Sequence, residues 1–263
     1  YIAKNRKNLE KEINTRTPGR ALDGLVDLYN KLGVEDYNWK LHGPHRTEID
    51  WDYITFDPGD NKLWEPGHRF REVAPPSGCE NWFAMDFKPK AAGWKTGRAP
   101  FANVNGKLAP LGTCTGEGHF CGCGEQPATF WDKEALLMRA MIELPPLKDG
   151  YAYRLLVGGR SHYNTGGGSN VWFDGELVPN RRKGRATIEG GSGRNSHRPF
   201  GVILQDNHRK HFEDGKVLLA TNGFLRWGHR VEYIKCYKTF WFEAMKLPEL
   251  PEVTSEVATG RKP

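Results

Sequence analysis

Two patterns of apolar and polar residues divide the chain. Up to residue 36 the spacing is helical. Thr17-Pro18 reads as an N-cap with Pro at the first helical position, Leu22, Leu25, Val26, Tyr29 and Leu32 recur on one face, and Gly33 supplies the stop. Ile2 to Ile13 offers a second, more charged helix. From Tyr37 onward short apolar or aromatic runs alternate with turn signals: DPGD at 57–60, EPG at 65–67, PPSG at 75–78, KDG at 148–150, FDG at 173–175, EDG at 213–215 and TNG at 221–223. Asp-Gly and Asn-Gly between such runs are hairpin signals, because both accept the positive φ of a tight turn. Strand candidates are Tyr151–Val157, Asn170–Phe173, Phe200–Leu204, Lys216–Ala220 and Val231–Phe242. Gly158–Gly168 and Gly190–Gly193 read as long polar loops, and the Pro-spaced end LPELPEVTSEVATGRKP as a linker or disordered tail.

The expected fold is mainly β: an antiparallel β-sandwich or jelly roll with a short N-terminal helical segment. The division that follows is 1–36 helical, 37–243 sandwich and 244–263 tail. A parallel βαβ fold needs helices between strands, and after residue 36 the only helical hint lies around Asp132–Arg139. In VWFDG, alternation turns Val171 and Phe173 toward the core and Trp172 to the opposite face.

Composition narrows the class. Twelve per cent aromatic residues, nine of them Trp, is too many for a disordered chain of 263 residues. No stretch approaches 18 consecutive apolar residues, so neither a transmembrane helix nor a membrane partner is expected. The chain starts at Tyr1 without Met or signal peptide, as expected of a processed product or a module cut from a longer polypeptide. The net charge of +6 is modest, and its clearest runs are Lys4–Glu12 and Arg181–Arg185. Without an RNP-type strand, a helix-turn-helix pattern or zinc-finger spacing, nucleic acid is not an expected partner.

Three of the five cysteines, Cys114, Cys121 and Cys123, lie in GTCTGEGHFCGCGE. In an oxidising compartment Cys114 could bridge to Cys121 or Cys123, or one of the three could reach Cys79. Alternatively Cys114, His119, Cys121 and Cys123 offer thiolates and an imidazole to zinc, although their spacing matches no familiar ligand pair. Unpaired structural thiols are the third reading. Cys236, within the apolar stretch Val231–Phe242, suits a buried free thiol.

Two segments, Asn81–Asn103 and Thr129–Val178, carry a recognisable order of motifs. They are Trp82, Asp86-Phe87, Trp94-Lys95 and Ala99-Pro100-Phe101, then Trp131, Arg139, Ile142-Glu143-Leu144-Pro145, Leu155-Leu156-Val157 and Val171-Trp172-Phe173-Asp174-Gly175. This order resembles the galactose-binding-like jelly-roll domains that accompany catalytic domains in β-galactosidases and related glycosidases. His211–Asn222 is similar, more loosely, to the closing strand of that family. The resemblance covers about half the chain and implies a sandwich; many such domains bind sugars and many are spacers, so it implies no single activity. The stretches Arg160–Asn170 and Pro179–His197 and the cysteine cluster depart from the family pattern.

Those two departures hold the expected ligand-binding residues. Arg160, His162, Tyr163 and Asn164 lie in one, Arg194, Asn195 and His197 at the end of the other, and Arg198 directly after it. Aromatic faces stack on pyranose CH groups, planar polar groups bind paired hydroxyls, and Arg takes a carboxylate or sulfate in bidentate fashion. Trp172 and Trp227 are candidate stacking platforms, each with a packing role as the alternative. The same Tyr–His–Arg set fits β-elimination, in which Arg neutralises a uronate carboxylate and His162 or Tyr163 removes the C5 proton. Glycoside hydrolysis needs two facing carboxylates, and among Glu117, Glu125, Asp132 and Glu143 the spacing selects no pair. No G-x-S-x-G, P-loop or HExxH motif is present. No cofactor is expected. Structural calcium at Asp57–Asp60 and a metal on His208 and His211 are conceivable, the latter against a plain basic turn preceding a strand.

The leading expectation is therefore a non-catalytic carbohydrate-binding module of a larger secreted or periplasmic polysaccharide-processing protein, with covalently linked or docked neighbouring domains. The alternatives are a lyase or hydrolase of an anionic polysaccharide, and an assembly domain without ligand.

Overall fold

The computed structural model describes residues 26–33, 37–57, 74–104, 106–109, 126–133, 135–160, 171–178, 200–204, 206–224 and 235–248; at 104, 157–160, 200–203, 206, 224 and 235–238 it describes the backbone alone. Two six-stranded sheets face each other. The first runs β10 (Phe200–Ile203), β7 (Tyr151–Arg160), β12 (Lys235–Lys246), β4 (Phe101–Val104) and β5 (Thr129–Phe130), with β1 (Lys40–Leu41) also on β12. The second runs β3 (Lys95–Arg98), β2 (Asp50–Phe56), β6 (Ala135–Glu143), β11 (Lys216–Phe224), β8 (Val171–Phe173) and β9 (Glu176–Leu177). Every pairing is antiparallel except β4 with β5. The chain is thus a mainly β, antiparallel β-sandwich, as its turn-spaced strands predict.

The core between the sheets takes alternate residues of each strand: Trp51 and Tyr53 from β2, Leu136, Met138, Ala140 and Ile142 from β6, Val217 and Leu219 from β11, and Phe101, Leu155, Phe240 and Phe242 from the first sheet. Val171 and Phe173 point into it, as their alternation predicts, while Trp172 packs on the outer face.

Both outer faces are covered. Helix α1 (residues 26–31) ends at Gly33, whose φ of +66° is the left-handed stop the sequence predicts. Its Tyr29 meets Tyr37 edge-on at 5.7 Å, and both pack with Met245 of β12. Asn30 takes the Tyr37 amide at 3.0 Å. The expected boundary at 36/37 therefore runs between residues that touch. On the second sheet Cys79, Trp82, Phe83, Phe87 and Trp94 cover Leu137, Ala220 and Trp172.

Three local expectations are corrected. The helical hint at Asp132–Arg139 is instead strand β6. Its inner residues face the main core and its outer Leu137 and Arg139 lie under the 79–94 segment, so residues 135–140 are buried on both faces and lose their alternation, which returns only at Met141–Glu143. Thr221-Asn222-Gly223 is not a turn; it continues β11, opposite Met138, Leu137 and Leu136. The long partner strand overrides the local Asn-Gly preference. His208–His211 is not a simple turn either: α2 (Asp206–Arg209) runs into a 3-10 turn, Lys210–Phe212, which seats Phe212 in the core against Phe173 and Phe242. Of the turn signals, DPGD beyond Asp57 and EPG lie outside the described residues.

Candidate ligand-binding end of the sandwich

The strand registers define one end of the molecule. In the second sheet Ala135 faces both Phe56 and Phe224, so β2 and β11 finish where β6 starts. Thr221 faces Val171, which points the start of β8 the same way, and Leu177 of β9 faces Trp172. In the first sheet Lys235 faces Val104, Tyr237 faces Arg160, and Phe200 faces Val157, so β4 and β7 finish where β12 and β10 start. The core contacts Trp51–Phe240 and Tyr53–Phe101 show that both sets of ends point the same way. Segments 161–170, 179–199 and 225–234 therefore each leave and re-enter the sandwich at this end. The opposite end carries the short connections 144–150, Asp174-Gly175 and 213–215.

The predicted site residues distribute accordingly. Arg160 is the last residue of β7, with its backbone paired to Tyr237. His162, Tyr163, Asn164, Arg194, Asn195, His197 and Arg198 lie outside the described residues, as does Trp227. The topology adds one segment that sequence reasoning did not group with the other two, 225–234, which reads LRWGHRVEYI. Only strand pairing reveals it, because nothing in the sequence says where β11 ends.

Trp172 sits beside this end, on β8, one strand in from the β9 edge of the second sheet. One ring face is stacked on Phe83 at 5.2 Å with 9° between planes, and Trp82 meets it edge-on at 5.0 Å. Trp82 is in turn stacked on Trp94. Arg139 fixes the segment that brings these rings. It is buried under that segment and donates through Nη1 to the carbonyls of Trp82 (2.7 Å) and Ala84 (2.8 Å), with Phe87 over its guanidinium. Burial lowers the Arg139 pKa, while Asp52 and Asp86 pull it back up.

At the opposite end, Asp174 anchors the β8–β9 hairpin. Asp174 (φ +50°) and Gly175 (φ +88°) form the two positive-φ positions that the Asp-Gly signal predicts. The Asp174 carboxylate accepts the Leu218 amide at 2.8 Å and lies 3.0 Å from His211 Nδ1. His211 Nε2 lies 3.3 Å from Glu176, which also pairs with Lys210 at 2.5 Å. The two ring nitrogens thus face two different carboxylates instead of converging on one point. Among the described residues no group of three His, Cys, Asp or Glu side chains is arranged to hold a metal.

Of the cysteines, Cys79 is a buried free thiol sealed beneath Trp82 and Trp94, with the Trp94 indole N–H directed at its sulfur from 3.4 Å. The expected partners of a bridge to Cys79 lie outside the described residues. Cys236 lies in β12 opposite Asn103, and Cys114, Cys121 and Cys123 lie outside the described residues, as do His119 and residues 58–60 of the calcium candidate. No helix of the described residues is long and apolar enough to cross a membrane.

No protein-family model matches the chain, and no curated protein is similar to it. Solved structures similar in part include a β-glucuronidase from glycoside hydrolase family 2 (TM-score 0.40, 11% identity, 79% of this chain and 18% of that one). A Faecalibacterium prausnitzii β-glucuronidase (TM-score 0.35, 12% identity) matches over 78% of this chain and 33% of its own. A PA14 sugar-binding domain from an RTX adhesin (TM-score 0.28, 12% identity) matches over 78% and 90%. The chain thus spans a third or less of the two glucuronidases it is similar to.

Proposed function

We propose that this chain is a non-catalytic carbohydrate-binding module of a larger secreted polysaccharide-processing protein, and that it takes an anionic polysaccharide at the end of the sandwich where segments 161–170, 179–199 and 225–234 begin and finish. The observation that carries this reading is the strand register combined with charge. Together the three segments hold eight Lys and Arg against two Glu, a surplus equal to the +6 of the whole chain. A cationic surface at one end of a β scaffold attracts sulfated or carboxylated chains, and Arg binds those groups in pairs. Tyr163, Asn164, Asn195 and Trp227 add the rings and planar amides that suit sugar hydroxyls and CH faces. The motif order shared with galactose-binding-like domains supports the same class.

Isothermal titration calorimetry against matched neutral and anionic polysaccharides tests the reading. Binding to the anionic member, weakened by salt and by the double substitution Arg194→Ala/Arg198→Ala, is expected. Equal binding to both members, or none to either, removes it. Release of unsaturated uronate on the same incubation would replace a binding module with a lyase.

A further inference from the structure

His42 sits where a neutral imidazole is favoured over a protonated one. Its amide donates to the Phe242 carbonyl at 2.9 Å, one step beyond the pairs Lys40–Ala244 and Leu41–Glu243 that hold β1 on β12. Its ring turns the other way, edge-on to Tyr153 at 4.9 Å, and meets the Pro145 carbonyl of the turn between β6 and β7. Nε2 is fully buried and has no hydrogen-bond partner among the described residues. A neutral ring leaves only a lone pair unmet there, whereas a protonated ring places an N–H and a full charge in the same spot.

The charged groups around this ring add to the bias. Lys148 lies on the turn it touches, and its backbone amide holds the Tyr153 hydroxyl at 2.6 Å. The Arg209 guanidinium stands 6.0 Å from the Tyr153 ring. Lys40 is exposed on the same strand. Asp149 is fully exposed and pairs with Arg209 at 3.9 Å, and no carboxylate of the described residues bonds the imidazole. Burial lowers the His42 pKa, the Pro145 carbonyl opposes that shift, and Lys148 adds to it.

We propose that His42 is an acid-operated latch: neutral, it ties β1 to the first sheet and to the 144–150 turn; protonated, it leaves its pocket and β1 lifts from β12. Residues next to β1 follow. Trp39, stacked under Arg154 at 4.1 Å, and Tyr37, through which α1 reaches Met245, are continuous with it. Acidification then uncovers an apolar strip formed by Met245 of β12, Ala152 of β7 and Leu247 just past β12, while the core between the sheets stays closed.

Amide hydrogen exchange by NMR between pH 7.5 and 5 tests the latch. Linkage to one proton makes protection of the residue 42 amide fall by up to about tenfold per pH unit below the ordinary His value of 6.5. Amides of the β6–β11 ladder, such as Ala140 and Leu219, keep their protection. His42→Phe and His42→Gln both remove the titrating group, and Gln keeps a neutral polar side chain if Phe fails to fold. Both are expected to flatten the pH dependence at position 42. Constant protection there in the unsubstituted protein, or the same fall in the variants, overturns the proposal.

Discussion

The indole of Trp172 lies within 9° of parallel to the ring of Phe83, with centroids 5.2 Å apart. One residue is on β8 and the other on the segment that covers the second sheet, so the stack ties the cover to the edge of the sandwich. Phe83→Ala removes the lid from one indole face. We expect a loss of about 2 kcal/mol in denaturant unfolding and a red shift of tryptophan emission as water reaches Trp172.

Arg139 holds the same cover from below. Its removal leaves the Trp82 and Ala84 carbonyls without their donor. Arg139→Ala is expected to cost about 3 kcal/mol, and Arg139→Lys somewhat less, because a single ammonium cannot also lie flat beneath Phe87. Equal stability of Arg139→Ala and the parent in urea unfolding would show that the cover is held by its aromatic packing alone.

The β8–β9 turn gives a backbone test. A Cβ at Gly175 would find ordinary contact distances, 3.6 Å to Ala84 Cα and 3.7 Å to the Phe83 oxygen, so space is not the obstacle. The φ of +88° is. Gly175→Ala should cost roughly 1 kcal/mol by thermal unfolding, through conformation and not through a clash.

Packing of α1 predicts a result for the N-terminal segment. Tyr29→Ala, or removal of residues 1–36, uncovers Tyr37 and Met245, both buried in the full chain. A fall in stability of about 2 kcal/mol is expected for the point variant, and an unchanged melting temperature after the deletion would show that α1 adds nothing.

Glu176 predicts a small acid response. The hydrogen bond from Lys210 holds its carboxyl below the usual 4.5, with His211 adding to the effect. A depressed carboxyl stabilises the fold above its unfolded value, and that contribution disappears as pH falls below about 4.5. Lys210→Gln should move the Glu176 titration back upward in carboxyl-detected NMR; no movement would assign the shift to another group.

Much of the architecture was legible because the relevant physics is local. Asp174-Gly175 announces a turn, and VWF announces which residue faces the core. The strands that misled did so through tertiary context. β6 reads ALLMRAMIE without alternation because a second layer covers its outer face, and Thr221-Asn222-Gly223 reads as a turn because its pairing with β6 is invisible along the chain. Phe212 was unreadable as an anchor for the same reason. His42 carries no motif at all; its interest arises from a carbonyl 103 positions further on and a ring on β7. The candidate ligand-binding residues were chosen by chemistry alone, and the register added their common origin and the segment with Trp227.

That common origin has an evolutionary corollary. No ladder pairing among the described residues depends on the length of segments 161–170, 179–199 or 225–234, since the residues on either side are already fixed by β6, β7, β11 and β12. Insertions, deletions or wholesale exchange there leave the register of both sheets untouched. The scaffold can therefore keep its identity while those segments diverge, and descendants of one ancestral chain can come to share their strands and almost nothing of what those strands present.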